Sequence, residues 1–160
     1  LDYAQLINES GALLLDLIND LLDMSKIEAG KFELNYEDTA AAELTEACVR
    51  IVSRRAEEKG LIINVEREPD RFMFQADQRA TKQIVLNLLT NAVKFTTKGS
   101  VDLRVARDGD WVRIVVRDSG IGIPAHVLPK LGTPFEQANT EASRQQSGSG
   151  LGLALVKSLT

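Results

Sequence analysis

One cysteine, one histidine and one tryptophan stand among 160 residues, and aromatic residues make up only 5% of the chain. A lone cysteine excludes an internal disulfide. The neighbours of Cys48, among them Leu44, Ala47, Val49 and Ile51, mark it as a small buried hydrophobe, compatible with a reducing cell interior. No apolar run approaches the roughly 20 residues that a membrane span requires, and no signal peptide opens the chain, so it reads as soluble. Positive charge is not in excess either. Nineteen Lys and Arg face 23 Asp and Glu, for a net charge of −4 and a pI near 5.1. Without a bulk basic field, nucleic acid is not an expected partner. What the chain does have is 44% apolar content, enough at this length for one compact core with one appended element.

Residues 2–29 lack proline and place Leu6, Leu13, Leu14, Leu17, Leu21, Met24 and Ile27 at helical spacings. A long amphipathic helix is expected, and the 3-4-3 rhythm of Leu14, Leu17, Leu21 and Met24 suits packing in a helical bundle. Gly30 ends it, and the alternation of Phe32, Leu34 and Tyr36 predicts a strand over residues 32–36, with a domain boundary at this point. Thr39 is the expected cap of a second helix running to Lys59 and stopped by Gly60; "LIINVER" follows as a strand. A short strand ends at Asp77, which caps a third helix. "SVDLRVARDGDWVRIVVRD" reads as two strands joined at Asp108-Gly109, a hairpin turn. Interspersed helices and strands with antiparallel pairing predict an α+β fold, a sheet covered by helices on one face. From residue 119 the texture changes: three of the four prolines and six of the eleven glycines lie there. The polar stretch between Pro124 and Gly148 has the composition of a loop or lid, and a helix starting near Leu151 is still running where the sequence stops.

The third helix carries a puzzle. "QIVLNLLTNAVKF" is apolar on most sides yet holds Asn87 and Asn91, four residues apart and so on one face. Asparagine is a mediocre helix former, and burying its amide unpaired costs about 1–3 kcal/mol. An amide oxygen is, however, a hard neutral ligand for Mg²⁺, and Lys94 on the next turn offers a point charge to a phosphate. In "DSGIGIP", Asp118 ends a strand and precedes Gly120 and Gly122. A carboxylate beside two positions without side chains can accept from the exocyclic amine of adenine while the backbone lies against the ring. In "SGSGLGLALVKSL", the N–H groups of Gly150, Leu151 and Gly152 at a helix start suit phosphate. Neither a GxGxxG after a strand nor a GxxxxGK[ST] loop is present, so the dinucleotide fingerprint and the P-loop are excluded. Each feature alone has a structural explanation as a turn, a hinge or a bridging amide. Their co-occurrence points to a nucleotide with its metal.

In this order the pieces resemble the nucleotide-binding domain of sensor histidine kinases, members of the GHKL ATPase superfamily. "NLLTNAVKFT" is similar to the N box, "DSGIGIP" to the G1 box, "PFEQ" to the F box and "GSGLGLALVKSL" to the G2 box. "LLDMSKIEAGKFEL" is similar to the segment that joins the second helix of the dimerisation hairpin to that domain, so the resemblance covers almost the whole chain. It implies an α/β sandwich, with a mixed and mostly antiparallel sheet. Residues 1–30 would be the second hairpin helix, and residues 31–160 an ATP-binding catalytic domain truncated at its C-terminus. It also implies ATP and Mg²⁺ as ligands, with Asn91 on the metal, Asn87 on the metal or a phosphate, and Lys94 on phosphate. Asp118 would meet the adenine amine, Gly120 and Gly122 would shape the base pocket, and Phe135 would anchor the lid. Gly148, Gly150 and Gly152 would line the phosphates, joined by Leu151 in the same loop and by a hydroxyl hydrogen bond from Ser149. The implied partners are a second copy of the parent, through the hairpin helices, and a response regulator receiver domain; the catalytic part would face the cytoplasm whether or not the parent is membrane-anchored.

ATPases of this superfamily that use water place a glutamate four residues before the magnesium asparagine. Here that residue is Asn87, whose neutral amide cannot take a proton, so phosphoryl transfer to a positioned nucleophile is expected instead of hydrolysis. The family's nucleophile is a histidine in a motif like SHELRTPL, which this chain lacks; its only histidine, His126, lies in "IPAHVLPK". No catalytic nucleophile is therefore expected within the 160 residues, which should be inactive alone. Gly132 stands where an aromatic is common, and Ser147 where the G2 box usually has its first glycine. The other readings are a pseudokinase or scaffold that uses the fold for dimerisation, and a water-hydrolysing ATPase, which Asn87 disfavours.

Overall fold

A computed structural model describes residues 3–67, 72–136 and 150–160, which fall into two compact units. The first is Leu34–Leu128. In chain order it holds β1 (Glu37–Ala40), α2 (Ala41–Glu58), β2 (Ile62–Arg67), β3 (Met73–Ala76), α3 (Gln78–Phe95), β4 (Ser100–Asp108) and β5 (Trp111–Asp118). β1 pairs antiparallel with β3; β4 lies between β2, with which it is parallel, and β5, with which it is antiparallel. The α+β class is as the sequence implies. Alternation sets the layers: Val101, Leu103 and Val105 of β4 are buried, while Arg104 between them is exposed. Against that face lie Leu44, Cys48 and Val52 of α2 and Val85, Leu89 and Val93 of α3, in one continuous core. Burial pushes the Cys48 thiol up to about 11, against a smaller downward pull from Lys82, which makes it an inert core residue.

Asp77 caps α3 as its position implies. One carboxylate oxygen accepts from the Ala80 N–H at 2.8 Å and the other from the Asn35 N–H at 2.9 Å. Burial alone would raise this carboxyl, but those N–H groups and the Arg79 guanidinium outweigh it and hold the group below its ordinary value. The hairpin also forms where expected, with Asp108 opposite Trp111 and Gly109 at φ 63°. Two local expectations fail. Residues 32–36 form no strand; pairing begins at Glu37, where a partner exists in Ala76, and the Asn35 N–H is spent on Asp77. Thr39 is not a helix cap. It is a fully buried strand residue whose hydroxyl donates to the carbonyls of Glu37 (3.4 Å) and Ala76 (3.5 Å), and α2 starts at Ala41 after an Ala40 N-cap that offers no side-chain hydrogen bond, while the Ala41 N–H donates to Phe72 O.

The second unit joins residues up to Glu33 with those from Pro129 onward. It contains α1 (Tyr3–Glu28) and α4 (Gly152–Leu159). α1 closes on Gly30 at φ 64°, with the Lys31 N–H donating to Lys26 O at 2.8 Å. Met24 is buried, its sulfur 3.9 Å from Ser158 Oγ of α4. In the single chain Leu14, Leu15, Ile18, Leu21 and Leu22 of α1 are exposed, a contiguous apolar surface rather than isolated leucines. No helix among the described residues is long and apolar enough to cross a membrane.

Candidate functional site

α3 owes its form to a core stripe of Ala80, Val85, Leu89, Ala92 and Val93, which leaves Asn87 and Asn91 together on a flank where both are half-buried. Asn87 Nδ2 is sealed from solvent and has no hydrogen-bond partner among the described residues. Most buried donors in native structures find a partner in the protein or in ordered water, so this one stands out. Removing it should help the fold: Asn87→Leu is expected to raise the melting temperature by about 2–4 °C, read by thermal denaturation, because a buried donor without a partner costs about 1 kcal/mol or more. An unchanged or lower melting temperature would mean that the amide is satisfied in solution.

The end of α3 is built with every terminal carbonyl occupied. Ala92 O accepts from the Thr96 N–H at 3.0 Å, and Phe95 O from the Ile121 N–H at 3.3 Å. Val93 O, Lys94 O and Thr96 O accept from the ammonium of Lys59 at 2.7, 2.9 and 3.3 Å. The Lys94 ammonium lies 4.8 Å from the centre of the Phe95 ring. Burial, and then the nearby Arg55 charge, push Lys94 below its usual lysine value, a cost that an anion beside it would relieve.

Asp118 is the last residue of β5, opposite Val101. The ladder continues one step further, with the Ser119 N–H on Ser100 O at 3.1 Å and the Ser100 N–H on Ser119 Oγ at 3.0 Å. One Asp118 oxygen accepts from the Gly120 N–H at 2.9 Å, which fixes the carboxylate; the group is exposed and has capacity for further donors. Gly120 is glycine because of space: a Cβ there would lie 2.4 Å from Phe95 O. Gly122 is glycine because of conformation, at φ 69° with nothing within 4 Å of a Cβ. The Asp118 turn therefore rests on the last turn of α3, one turn beyond Asn91. The structure seats the turn that holds Asp118, Gly120 and Gly122 against Phe95, at the end of the helix that carries Asn87, Asn91 and Lys94. The reach of Lys59 to α3 has no sign in the sequence, because nothing local in "EEKGL" marks a side chain that meets another helix.

Phe135, Gly150, Leu151 and Gly152 belong to the second unit. Phe135 is 65% exposed and adopts φ 63°, unusual for an aromatic residue. A Cβ on Gly150, itself at φ 73°, would lie 3.0 Å from the Phe135 backbone, so the two positions adjoin. Leu151 is buried and precedes the first turn of α4, which has no side-chain cap. Gly148 and Ser149, like Ser147, lie outside the described residues.

Residues 76–160 match the family model of histidine kinase-, DNA gyrase B-, and HSP90-like ATPases. In Caulobacter vibrioides, the non-motile and phage-resistance protein is 49% identical over 98% of this chain, and the histidine protein kinase DivJ 46% identical over 98%. The crystal structure of full-length ShkA in complex with AMPPNP is 35% identical, with a TM-score of 0.84 over 98% of this chain and 32% of that one. The chain spans 19% and 26% of the length of the two Caulobacter relatives.

Proposed function

Because the chain belongs to the histidine kinase-, DNA gyrase B-, and HSP90-like ATPase family, with named histidine kinases among its relatives, we propose that it binds ATP with Mg²⁺ as the catalytic domain of a sensor histidine kinase. It presents the γ-phosphoryl group to a histidine outside these 160 residues, for relay to an aspartate of a response regulator. The observation that carries this reading is the joint between α3 and the Asp118 turn, where Ile121 N–H donates to Phe95 O and Gly120 leaves room for that carbonyl. On this reading the two amides and Lys94 of α3 serve the phosphate end of the nucleotide and the Asp118 carboxylate serves its base. The AMPPNP bound to ShkA, a structure similar over nearly the whole chain, supports ATP as the ligand.

The residues fit a magnesium ion that arrives on its triphosphate. Among the described residues no group of three or more His, Cys, Asp and Glu is arranged to hold a metal, and Mg²⁺ in such sites keeps several waters and takes few protein ligands. Asn91 would hold it, with Asn87 supporting the ion or a phosphate. Bound there, Mg²⁺ supplies charge neutralisation for the phosphates. Lys94 binds phosphate, Asp118 accepts from the adenine amine, Gly148, Ser149, Gly150, Leu151 and Gly152 are assigned to the phosphate loop, and Phe135 is assigned as the anchor of the lid. Asn87 holds no proton-accepting group where a hydrolase needs one, so water is not activated.

Residues 1–30 are assigned to the second helix of a dimerisation hairpin and 31–160 to the ATP-binding domain, on the cytoplasmic side. The exposed leucines of α1 support a parent homodimer. The test is transfer: an intact parent incubated with γ-labelled ATP should acquire acid-labile, base-stable label, and the 160-residue chain alone none. Acid-stable label, or steady multiple-turnover phosphate release by the chain, would overturn the reading.

A further inference from the structure

Lys59 closes the end of α2, and its backbone is fixed there. Its N–H bonds the Ala56 and Glu57 carbonyls, Gly60 follows at φ 66°, and the Leu61 N–H returns to Ala56 O at 2.9 Å. An ordinary lysine at a helix C-terminus would serve its own helix dipole. This one crosses to another helix, where its three ammonium donors meet three carbonyls, Val93 O, Lys94 O and Thr96 O, at 2.7–3.3 Å. These are carbonyls that α3 itself cannot satisfy. Between them lies Phe95 O, the carbonyl against which the Asp118 turn is seated.

We infer that Lys59 is a positioning residue for the nucleotide site, an ammonium clasp that holds the last turn of α3 so that Lys94 and the Phe95 seat of the Gly120 turn stay in register. The inference rests on the ATP-binding reading above. Lys59 touches no ligand in this scheme; it acts by leaving no carbonyl of that turn to fray. Burial and then the Arg55 charge lower its ammonium from the usual value.

Two readouts on the 160-residue chain test it: titration of a fluorescent ATP analogue with and without Mg²⁺, and amide hydrogen exchange at Ile121, whose N–H reports directly on Phe95 O. Lys59→Met should weaken magnesium-dependent affinity roughly tenfold and speed exchange at Ile121 at least about tenfold, with Val101 and Leu103 of β4 unchanged. Lys59→Arg, which keeps charge and donors, should recover most of both. A residue needed only for stability would lower the melting temperature without moving affinity well below it. A folded Lys59→Met with parental exchange at Ile121 and parental affinity overturns the inference. If that variant fails to fold, Lys59→Gln, with a neutral donor, carries the same readouts; intermediate values support the clasp and parental values overturn it. If the parent chain binds no analogue, the ATP reading falls by itself, while exchange at Ile121 still decides whether Lys59 holds the turn.

Discussion

Asn91→Ala is expected to leave the chain folded and to remove the magnesium-dependent part of its affinity for ATP. The position is half-buried on the flank of α3, outside the stripe formed by Val85, Leu89, Ala92 and Val93, so no core contact is lost. Alanine is the better helix former, which leaves the helix at least as stable. What disappears is the amide oxygen assigned to the cation. Losing even a residue that supports a metal costs 10–100-fold in affinity, so deleting a direct ligand should cost roughly 100-fold with Mg²⁺ present and little in EDTA. Calorimetric titration of a non-hydrolysable ATP analogue, with the cation and with chelator, separates the two terms. Equal magnesium dependence in variant and parent would remove Asn91 from the metal and, with it, the main reason for reading α3 as a nucleotide helix.

The elements that declared themselves in the sequence are those whose cause is local. α1 and α3 were legible because a 3.6-residue apolar stripe and a capping Asp77 act within one helix, and the hairpin because Gly109 supplies a positive φ where the chain must reverse. The first strand was misplaced because alternation at Phe32, Leu34 and Tyr36 is only a possibility of pairing; the partner, β3, lies more than thirty residues on and meets Glu37–Ala40 instead. Thr39 shows the same competition. Its hydroxyl fits a helix cap by propensity, but burial between two strand carbonyls won. The parallel pairing of β2 with β4 had no local sign at all. In the site, the residue types of Asn87, Asn91, Lys94 and Asp118 were readable from chemistry. Lys59, thirty-odd residues away from the carbonyls it serves, was not.

Gly120→Ala is expected to damage folding and binding together, and more severely than Gly122→Ala, although both glycines stand in the same turn. At Gly122 an added methyl meets nothing within 4 Å; the cost is only that of holding a side chain at φ 69°, about 1–2 kcal/mol. At Gly120 the methyl would sit 2.4 Å from Phe95 O and 2.9 Å from Phe95 C, both backbone atoms, and 2.8 Å from Asp118 Oδ1. Backbone at the end of a helix whose Val93 and Lys94 carbonyls are tied to Lys59 has little freedom to retreat, so the turn must move instead. That breaks the Ile121 N–H bond to Phe95 O and the Gly120 N–H bond to Asp118, releasing the carboxylate assigned to adenine. Overpacking of this kind costs about 1–3 kcal/mol, and two broken hydrogen bonds add about 1 kcal/mol each. For a chain of this length the sum corresponds to a fall in melting temperature of roughly 6–20 °C, with nucleotide affinity reduced at least about tenfold in whatever fraction stays folded. Differential scanning calorimetry and analogue titration on both variants give the comparison. Equal effects at the two glycines would show that the turn needs backbone freedom at both positions, and that the contact between Gly120 and the end of α3 does not hold the site together.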